Sequence, residues 1–514
     1  MNRKLTLWLA MPFLICTAMA QEISQGEEIP KVLPMPAPAM PSKTSKATIV
    51  FRNGIMSRQV NVNGNGENIV GDAANEPSLA VDPTNQDRVV IGWRQFGNRN
   101  SSFRQAGWSY SHDAGKSWTF PGSIDATQFR SDPVLAADAD GNFYYNSLLV
   151  VGNDFSCTVF RSFDGGVTWD LGTFAQGGDK QWMCIDQGDG IGSGNVYASW
   201  NASFSVCSGD FTASYNGGNT YIDCLSLPSS PRWGTIAVGP GGEVYISGVF
   251  FNGVGIVKSS TIQNALATPA FDFANNVNLG GTLSSSTGPN PVGLLGQVFV
   301  ATDTSQGPNH GNVYLLASVS GSQTDILDVM FSRSEDGGET WSDPVRVNDD
   351  AGGNNAWQWF GMMDVAPNGR IDAFWNDTRN NPGTFLSELY YAYSNDGGRT
   401  WSSNVAVSPS FDPHLGWPQQ QKIGDYYDME SGPDGVDVAY SATFNGEQDV
   451  YHLRINPGQC EADLNGDLKI DGGDLLVAAE SWSTGATLGD LDTNGTVDTL
   501  DLVLLVNLEG NCPL

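Results

Sequence analysis

Two stretches near the C-terminus carry the densest run of ligand-type oxygens in the chain: DLNGDLKIDGGD (residues 463–474) and DLDTNGTVDTLD (residues 490–501). Positions 1, 3, 5, 9 and 12 are Asp463, Asn465, Asp467, Asp471 and Asp474 in the first. In the second they are Asp490, Asp492, Asn494, Asp498 and Asp501. Position 7 offers a backbone carbonyl, from Lys469 and from Thr496. A hard cation such as Ca2+ takes roughly six to eight oxygens from a loop wrapped round it, so one Ca2+ is expected in each loop. Position 6, where such a loop turns with positive φ, is Gly495 in the second loop but Leu468 in the first. The first loop is therefore expected to bind more weakly.

A second candidate set comes from repetition. Apolar strand–turn–strand units recur as PSLAVDPTNQDRVVIGW (77–93), PVLAADADGNFYYNSL (133–148), WGTIAVGPGGEVYISG (233–248) and FGMMDVAPNGRIDAFW (360–375). Aligning them puts Glu76, Asp132, Lys180, Trp233, Phe360 and Tyr426 at one comparable strand-entry position. Asn75, Ser131, Asp179, Arg232, Trp359 and Asp425 come just before. This ring is acidic, basic and aromatic by turns. Such a mixture suits a carbohydrate, whose C–H faces stack on rings while carboxyls hydrogen-bond hydroxyls or protonate a leaving oxygen.

The elements that would position these residues are marked by a repeated octapeptide. SHDAGKSW starts at Ser111, SFDGGVTW at Ser162, SYNGGNTY at Ser214, SEDGGETW at Ser334 and SNDGGRTW at Ser394. A decayed copy, SSTIQN, starts at Ser259, so successive starts differ by 51, 52, 45, 75 and 60 residues. Asp-Gly-Gly turns the chain, the Asp accepting backbone N–H groups and Gly supplying positive φ, while the Trp plugs an apolar seam. Acids repeated so regularly cannot share one active site; they are turn locks. Two strands around each lock and two in each preceding unit make a four-stranded blade. The expected fold is all-β: a β-propeller of seven blades, or six if the decayed unit merges with its neighbour. A last unit at 426–455 lacks the lock, and KATIVFRN (46–53) is expected to supply its missing fourth strand and close the ring.

S-x-D-x-G-x-T-W resembles the Asp box, or BNR repeat, of the sialidase superfamily, and the region from about Asn75 to Ile455 resembles a sialidase-like propeller. That resemblance implies a glycoside hydrolase with an arginine grip on a substrate carboxylate, a Tyr nucleophile with an acidic partner and an Asp acid/base. On it, Asp132 is the candidate acid, Tyr426 beside Asp425 the nucleophile pair, Glu76 a further acid, and Arg94 and Arg232 members of the grip. The family's early R-I-P tripeptide is absent; FRNG (51–54) keeps only its Arg. The alternative is a non-catalytic propeller that binds glycan or protein. Residues 460–512 in turn resemble a type I dockerin: paired EF-hand-like calcium loops, each followed by one helix. That implies docking to a cohesin-type or cell-surface partner.

The bulk numbers fit this reading. The 514 residues carry a net charge of −31, with 25 Lys and Arg against 56 Asp and Glu, which argues against nucleic acid and anionic membranes as partners. The 61 Gly, 15 Trp and 24 Phe point to tight turns between aromatic-rich strands. Asn2-Arg3-Lys4, an apolar run to Cys16 and Ala18-Met19-Ala20 read as a secretory signal cleaved near Ala20, with a lipoprotein anchor at Cys16 as the rival. No later run is long enough to span a membrane. Secretion leaves six cysteines. Cys207 and Cys224 flank an NGGN turn, Cys460 and Cys512 bracket the calcium loops, and Cys157 and Cys184 remain to tie neighbouring repeats or to stay free. The four His show no metal spacing, and no G-x-S-x-G, P-loop or H-E-x-x-H is present. The expected order is a signal peptide (1–20), a Pro-rich linker (21–45), the propeller (46–456) and the dockerin-like region (457–514).

Overall fold

The computed structural model describes residues 41–321, 325–456, 462, 464, 469–492, 494–508, 510 and 511. The signal peptide, most of the linker, Cys460, Cys512, Asp463, Asn465, Asp467 and Leu468 lie outside the described residues. No helix among those described is long and apolar enough to cross a membrane.

Each repeat folds as a meander whose neighbours in sequence pair in space. The first blade runs Ala73–Val81, Val89–Phe96, Gln105–Ser111 and Thr119–Ile124. Blades 2, 4, 5 and 6 repeat that order, blade 3 keeps three strands, and blade 7 comprises Asp428–Ser431, Val436–Ala442 and Asp449–Ile455 with added strands. The propeller therefore has seven blades. The decayed copy does not merge: Ser259 ends the third strand of blade 4 as Ser334 ends that of blade 5. The long interval between them holds a hairpin, Ser285–Thr287 against Asn290–Leu294.

Ring closure differs from expectation by one strand. Ile55–Gln59 pairs with Asp449–Ile455 as the fourth strand, and Ile49–Arg52 folds back on it as a fifth. The reason is local: Asn53 (φ 50°) and Gly54 (φ 77°) form an Asn-Gly hairpin turn, so the chain doubles back and 55–59, not 46–53, takes the fourth position.

The octapeptides sit between the third and fourth strands, at the blade perimeter. At the second copy, Asp164 accepts Thr168 N–H at 2.9 Å and Thr168 Oγ1–H at 2.6 Å, while Gly166 N–H donates to Ser162 Oγ at 2.9 Å. The same bonds recur at Asp336 and Asp396. None of these acids faces the hub.

The Cys207–Cys224 disulfide forms. Cys157 and Cys184 do not pair and stay free, correcting the expected tie: Cys157 is buried, its thiol directed at Gly178 O, and Cys184 lies on the innermost strand of blade 3. Beyond the propeller, α1 (Gly472–Thr484) and α2 (Thr499–Asn507) each begin on a capping box, Asp471 with Asp474 and Asp498 with Asp501. Their shared core of Ile470, Ala478, Leu491, Val497, Leu504, Leu505 and Leu508 also takes in Met56 from the closing strand. Arg58 of that strand donates to Leu491 O at 3.1 Å.

Candidate functional site

Five of the six aligned strand-entry residues share one backbone signature. Glu76, Asp132, Lys180, Trp233 and Phe360 have φ of 56°, 47°, 56°, 57° and 57°. In blades 1 and 6 the register between the first two strands slips across this residue, between Asn75 and Ser78 and between Trp359 and Met362. A bulge of this kind re-aims one side chain. Because it recurs with charged and aromatic residues alike, it belongs to the architecture, and the residue type at each copy decides what the hub receives. Blade 5 contributes Gln297, which repeat alignment passed over because the long insertion precedes it.

Blades 1, 2, 3 and 7 deliver a buried ionic cluster. Lys180 Nζ and Lys422 Nζ both contact Asp425 Oδ2, the latter at 2.5 Å. Arg94 Nε lies 3.3 Å from Glu76 Oε2 and 2.9 Å from Asn75 Oδ1. Lys180 lies 4.0 Å from Asp132, whose other oxygen accepts Ser131 Oγ–H at 2.5 Å. Arg104 donates to Ser131 Oγ at 3.0 Å. Four cations thus meet four carboxyls, Asp179 being the fourth.

Burial and pairing push these groups apart. Burial lifts the Glu76 carboxyl to about 7; Arg94 opposes this, and Asp132 and Asp425 add to it. Burial would raise Asp132 too, but Lys180, Arg94, the Ser131 hydroxyl and Lys422 outweigh it and hold Asp132 at about 2. Asp425 is held far below the carboxylate range because Lys180, Lys422 and Arg94 together overcome its burial. Two ammonium groups share that one carboxylate, so one yields: burial lowers Lys422 to about 7, while the carboxylates keep Lys180 charged. Burial, with Glu76 and Asp132 nearby, raises the Tyr426 phenol well above its usual value, and its hydroxyl donates to Pro133 O at 2.7 Å. At neutral pH this is a carboxyl that still holds its proton about half the time, beside two ionised carboxylates, with Tyr426 a neutral donor rather than a phenolate.

The structure therefore gathers Glu76, Arg94, Asp132, Asp425 and Tyr426 in one place. Arg232 stands apart, half-buried, its guanidinium 5.4 Å over the Trp233 ring. Sequence reasoning missed Lys422 and Arg104. The KIGD run, three residues from lysine to aspartate, was a legible sign of the first; Arg104 directly precedes a third strand and had none.

A roof covers the cluster. Asn290, in the hairpin before blade 5, donates to Gly424 O at 2.8 Å and accepts Ile423 N–H at 3.1 Å, and Leu294 N–H donates to Asp425 Oδ1 at 2.8 Å. Gln420 Oε1 accepts from Arg94 Nη1 at 3.1 Å. The fit is close: a Cβ at Gly424 (φ 108°) would lie 2.9 Å from Glu76 Cα, so only glycine serves there. Along the hub, Asp364, Asp428 and Glu430 accept backbone N–H groups of Ser431, Leu79 and Val81 from the next blade, stitching blades 6, 7 and 1 together.

In the C-terminal segment, carboxylate oxygens of Asp490, Asp492 and Asp501 lie within 4.8 Å of one another and could hold a metal ion. These hard oxygens, with no nitrogen or sulfur among them, fit a hard cation. Gly495 takes φ 90°, as position 6 requires. Asp501 is fixed by N–H groups of Leu491 and Asp498, at 2.7 and 2.8 Å. Asp498 accepts Leu500 N–H at 2.7 Å, which turns one of its oxygens to the helix. Asn494 Oδ1 likewise accepts Thr496 N–H and Oγ1–H. Of the first loop, Asp474 repeats the Asp501 pattern with Leu464 and Asp471 N–H, and Asp471 caps α1. Lys469 lies in a two-residue strand there.

No family model and no curated protein matches the chain. Among solved structures, a protein of unknown function from Dyadobacter fermentans is similar over 80% of this chain and 98% of its own, at 14% identity and TM-score 0.43. An α-L-arabinofuranosidase from Fusarium graminearum matches over 82% and 99%, at 12% identity and TM-score 0.42. A Trypanosoma rangeli sialidase mutant displaying trans-sialidase activity matches over 87% and 62%, at 12% identity and TM-score 0.38.

Proposed function

We propose that the chain is a secreted glycoside hydrolase acting on extracellular glycans, built on a sialidase-like Asp-box propeller (46–456) and tethered through a calcium-dependent, dockerin-like region (457–514). One observation carries the catalytic reading: Glu76, whose carboxyl is lifted to about 7, shares a buried cluster with ionised Asp132, and apart from the Arg94 ion pair neither Glu76 oxygen has a hydrogen-bond partner among the described residues. Glycoside hydrolysis needs that asymmetry, one carboxyl to protonate the leaving oxygen and another to act on the opposite face. In this reading Glu76 is the acid and Asp132 the second carboxyl, while Arg94, Arg104 and Lys180 stabilise negative charge. Tyr426 positions the strand through Pro133, and Arg232 takes no part. Sialic acid specificity is not part of the proposal, since two guanidiniums, not three, meet here. Two Ca2+ are proposed, held by Asp490, Asp492 and Asp501 in the second loop and by Asp463, Asn465, Asp467, Asp471 and Asp474 in the first.

The roof favours a second reading, a non-catalytic binding propeller in which the cluster locks the hub. Hydrolysis of a chromogenic glycoside panel, including a sialoside and an arabinofuranoside, decides between them. Turnover that Glu76→Gln and Asp132→Asn both abolish supports the enzyme; no turnover on any substrate supports binding alone.

A further inference from the structure

A groove of about 350 Å³ opens beside the roof, lined by Arg99, Asn100, Trp417, Pro418, Gln419 and Gln421. It lies over the ionic cluster, because Gln420, between two of its lining residues, receives Arg94 from below. Trp417 is pinned: its indole N–H donates to Pro413 O at 2.7 Å, and its ring centroid lies 4.8 Å from that of His414. His414 packs tilted against Phe385 at 4.8 Å, and Phe385 meets Trp357 edge to face at 6.2 Å. All four rings are only half-buried, and Trp417, the one that lines the groove, is held at the end of this aromatic chain. Its polar lining is of amide type. Gln419 accepts Ser102 Oγ–H at 3.2 Å, while the exposed side chains of Arg99, Asn100 and Gln421 make no hydrogen bond or ion pair with the described residues.

We infer that this groove is a binding site for a neutral polysaccharide chain, with Trp417 as the stacking platform and Arg99, Asn100 and Gln421 as donors and acceptors to sugar hydroxyls. Aromatic faces pack against the C–H faces of sugars, and planar amides and guanidinium match vicinal hydroxyls. The charge balance selects neutral polymers: a chain of net charge −31 repels a polyanion, and one exposed guanidinium does not reverse that. The inference rests on reading the roofed end of the hub as the sugar-facing end, but it concerns binding and is independent of turnover.

Native affinity electrophoresis of the full chain in gels containing arabinan, galactan, arabinoxylan or polygalacturonate tests it. At least one neutral polymer should retard the protein, and Trp417→Ala should weaken that retardation about tenfold with an unchanged thermal midpoint. The exposed pair Asn100→Ala with Gln421→Ala should weaken it without affecting folding, so the test survives if Trp417→Ala misfolds. Glu76→Gln should bind as wild type does. Retardation by no neutral polymer, by polygalacturonate alone, or equally in wild type and both groove variants overturns the inference. So does loss of binding in Glu76→Gln, which would move the site to the cluster. Binding without turnover of any glycoside would instead sink the catalytic proposal and leave the groove standing.

Discussion

Glu76→Gln separates the electrostatics of the hub from its chemistry. The folded protein holds the Glu76 proton up to about 7, against 4.5 for the free side chain. A raised carboxyl disfavours the folded state once the unfolded chain has given up that proton. Its effect is neutral to folding below pH 4.5, becomes a growing penalty as pH rises from 4.5, and levels off above 7. That interval corresponds to about 3 kcal/mol. Glutamine has the shape of the protonated acid and does not titrate. The stability of Glu76→Gln relative to wild type should therefore grow by about 3 kcal/mol between pH 4.5 and pH 8. Urea unfolding followed by tryptophan fluorescence at pH 4.5, 6 and 8 measures this directly. Over the same range the variant should lose at least about a hundredfold in glycoside turnover, the usual contribution of a general acid. A catalytic loss joined to an alkaline gain in stability is not what a merely structural residue would show. Parallel pH–stability curves for the two proteins would refute the electrostatic reasoning, and undiminished turnover would refute the assignment of Glu76 as the acid.

Asp425→Asn keeps an oxygen for Leu294 N–H but leaves Lys180 and Lys422 buried without the carboxylate they share. The expected cost is about 3–5 kcal/mol in urea unfolding at pH 5, and smaller at pH 8, where Lys422, lowered to about 7, has given up the proton that Asp425 stabilises. Asp336→Ala removes the acceptor of two Thr340 bonds at an exposed perimeter turn, and should cost about 1–2 kcal/mol with turnover unchanged. A turnover loss there would overturn the division between turn locks and site. Calorimetry with Ca2+ should show one tighter and one weaker site, the tighter abolished by Asp490→Ala; two equally tight sites would refute the argument from Leu468. Calcium should also raise the thermal midpoint, since the core beside that loop shares Met56 with the strand that closes the ring.

The blades were legible because each repeat carries its own boundary signals. A Ser–Asp–Gly–Gly turn fixes where the third strand ends, and that is where Ser111, Ser162, Ser214, Ser334 and Ser394 stand. Even the decayed copy kept its serine: Ser259 Oγ accepts Ile262 N–H at 3.1 Å, so the turn survived the loss of its aspartate. Closure was misread by one strand because composition favours a strand over 46–53, while only the Asn53-Gly54 turn says that the chain doubles back. The unpaired Cys157 and Cys184 show the limit of cysteine counting. Both fill apolar space, which lifts their thiols well above the usual range and leaves each as a small hydrophobe.

The site was legible only as far as repetition reached. Glu76, Asp132 and Lys180 were found because the positive-φ step that aims them recurs at the same place in five units, and aligning copies locates it without any knowledge of φ. Lys422, Arg104 and Gln297 were missed because each is placed by something that occurs once. Lys422 lies in the segment between the last two blades, Arg104 directly precedes a single third strand, and Gln297 follows the hairpin insertion. The roof has the same origin. Asn290 and Gly424 meet across a sequence separation of 134 residues, and neither belongs to a repeat. A propeller thus states its scaffold many times and its function once. The non-repeating residues, which carry the weakest sequence signal, decide whether the cluster at the hub meets a substrate: if Gly424→Ala, which forces the roof off Glu76, raises turnover while lowering stability, the roof gates the site rather than sealing it.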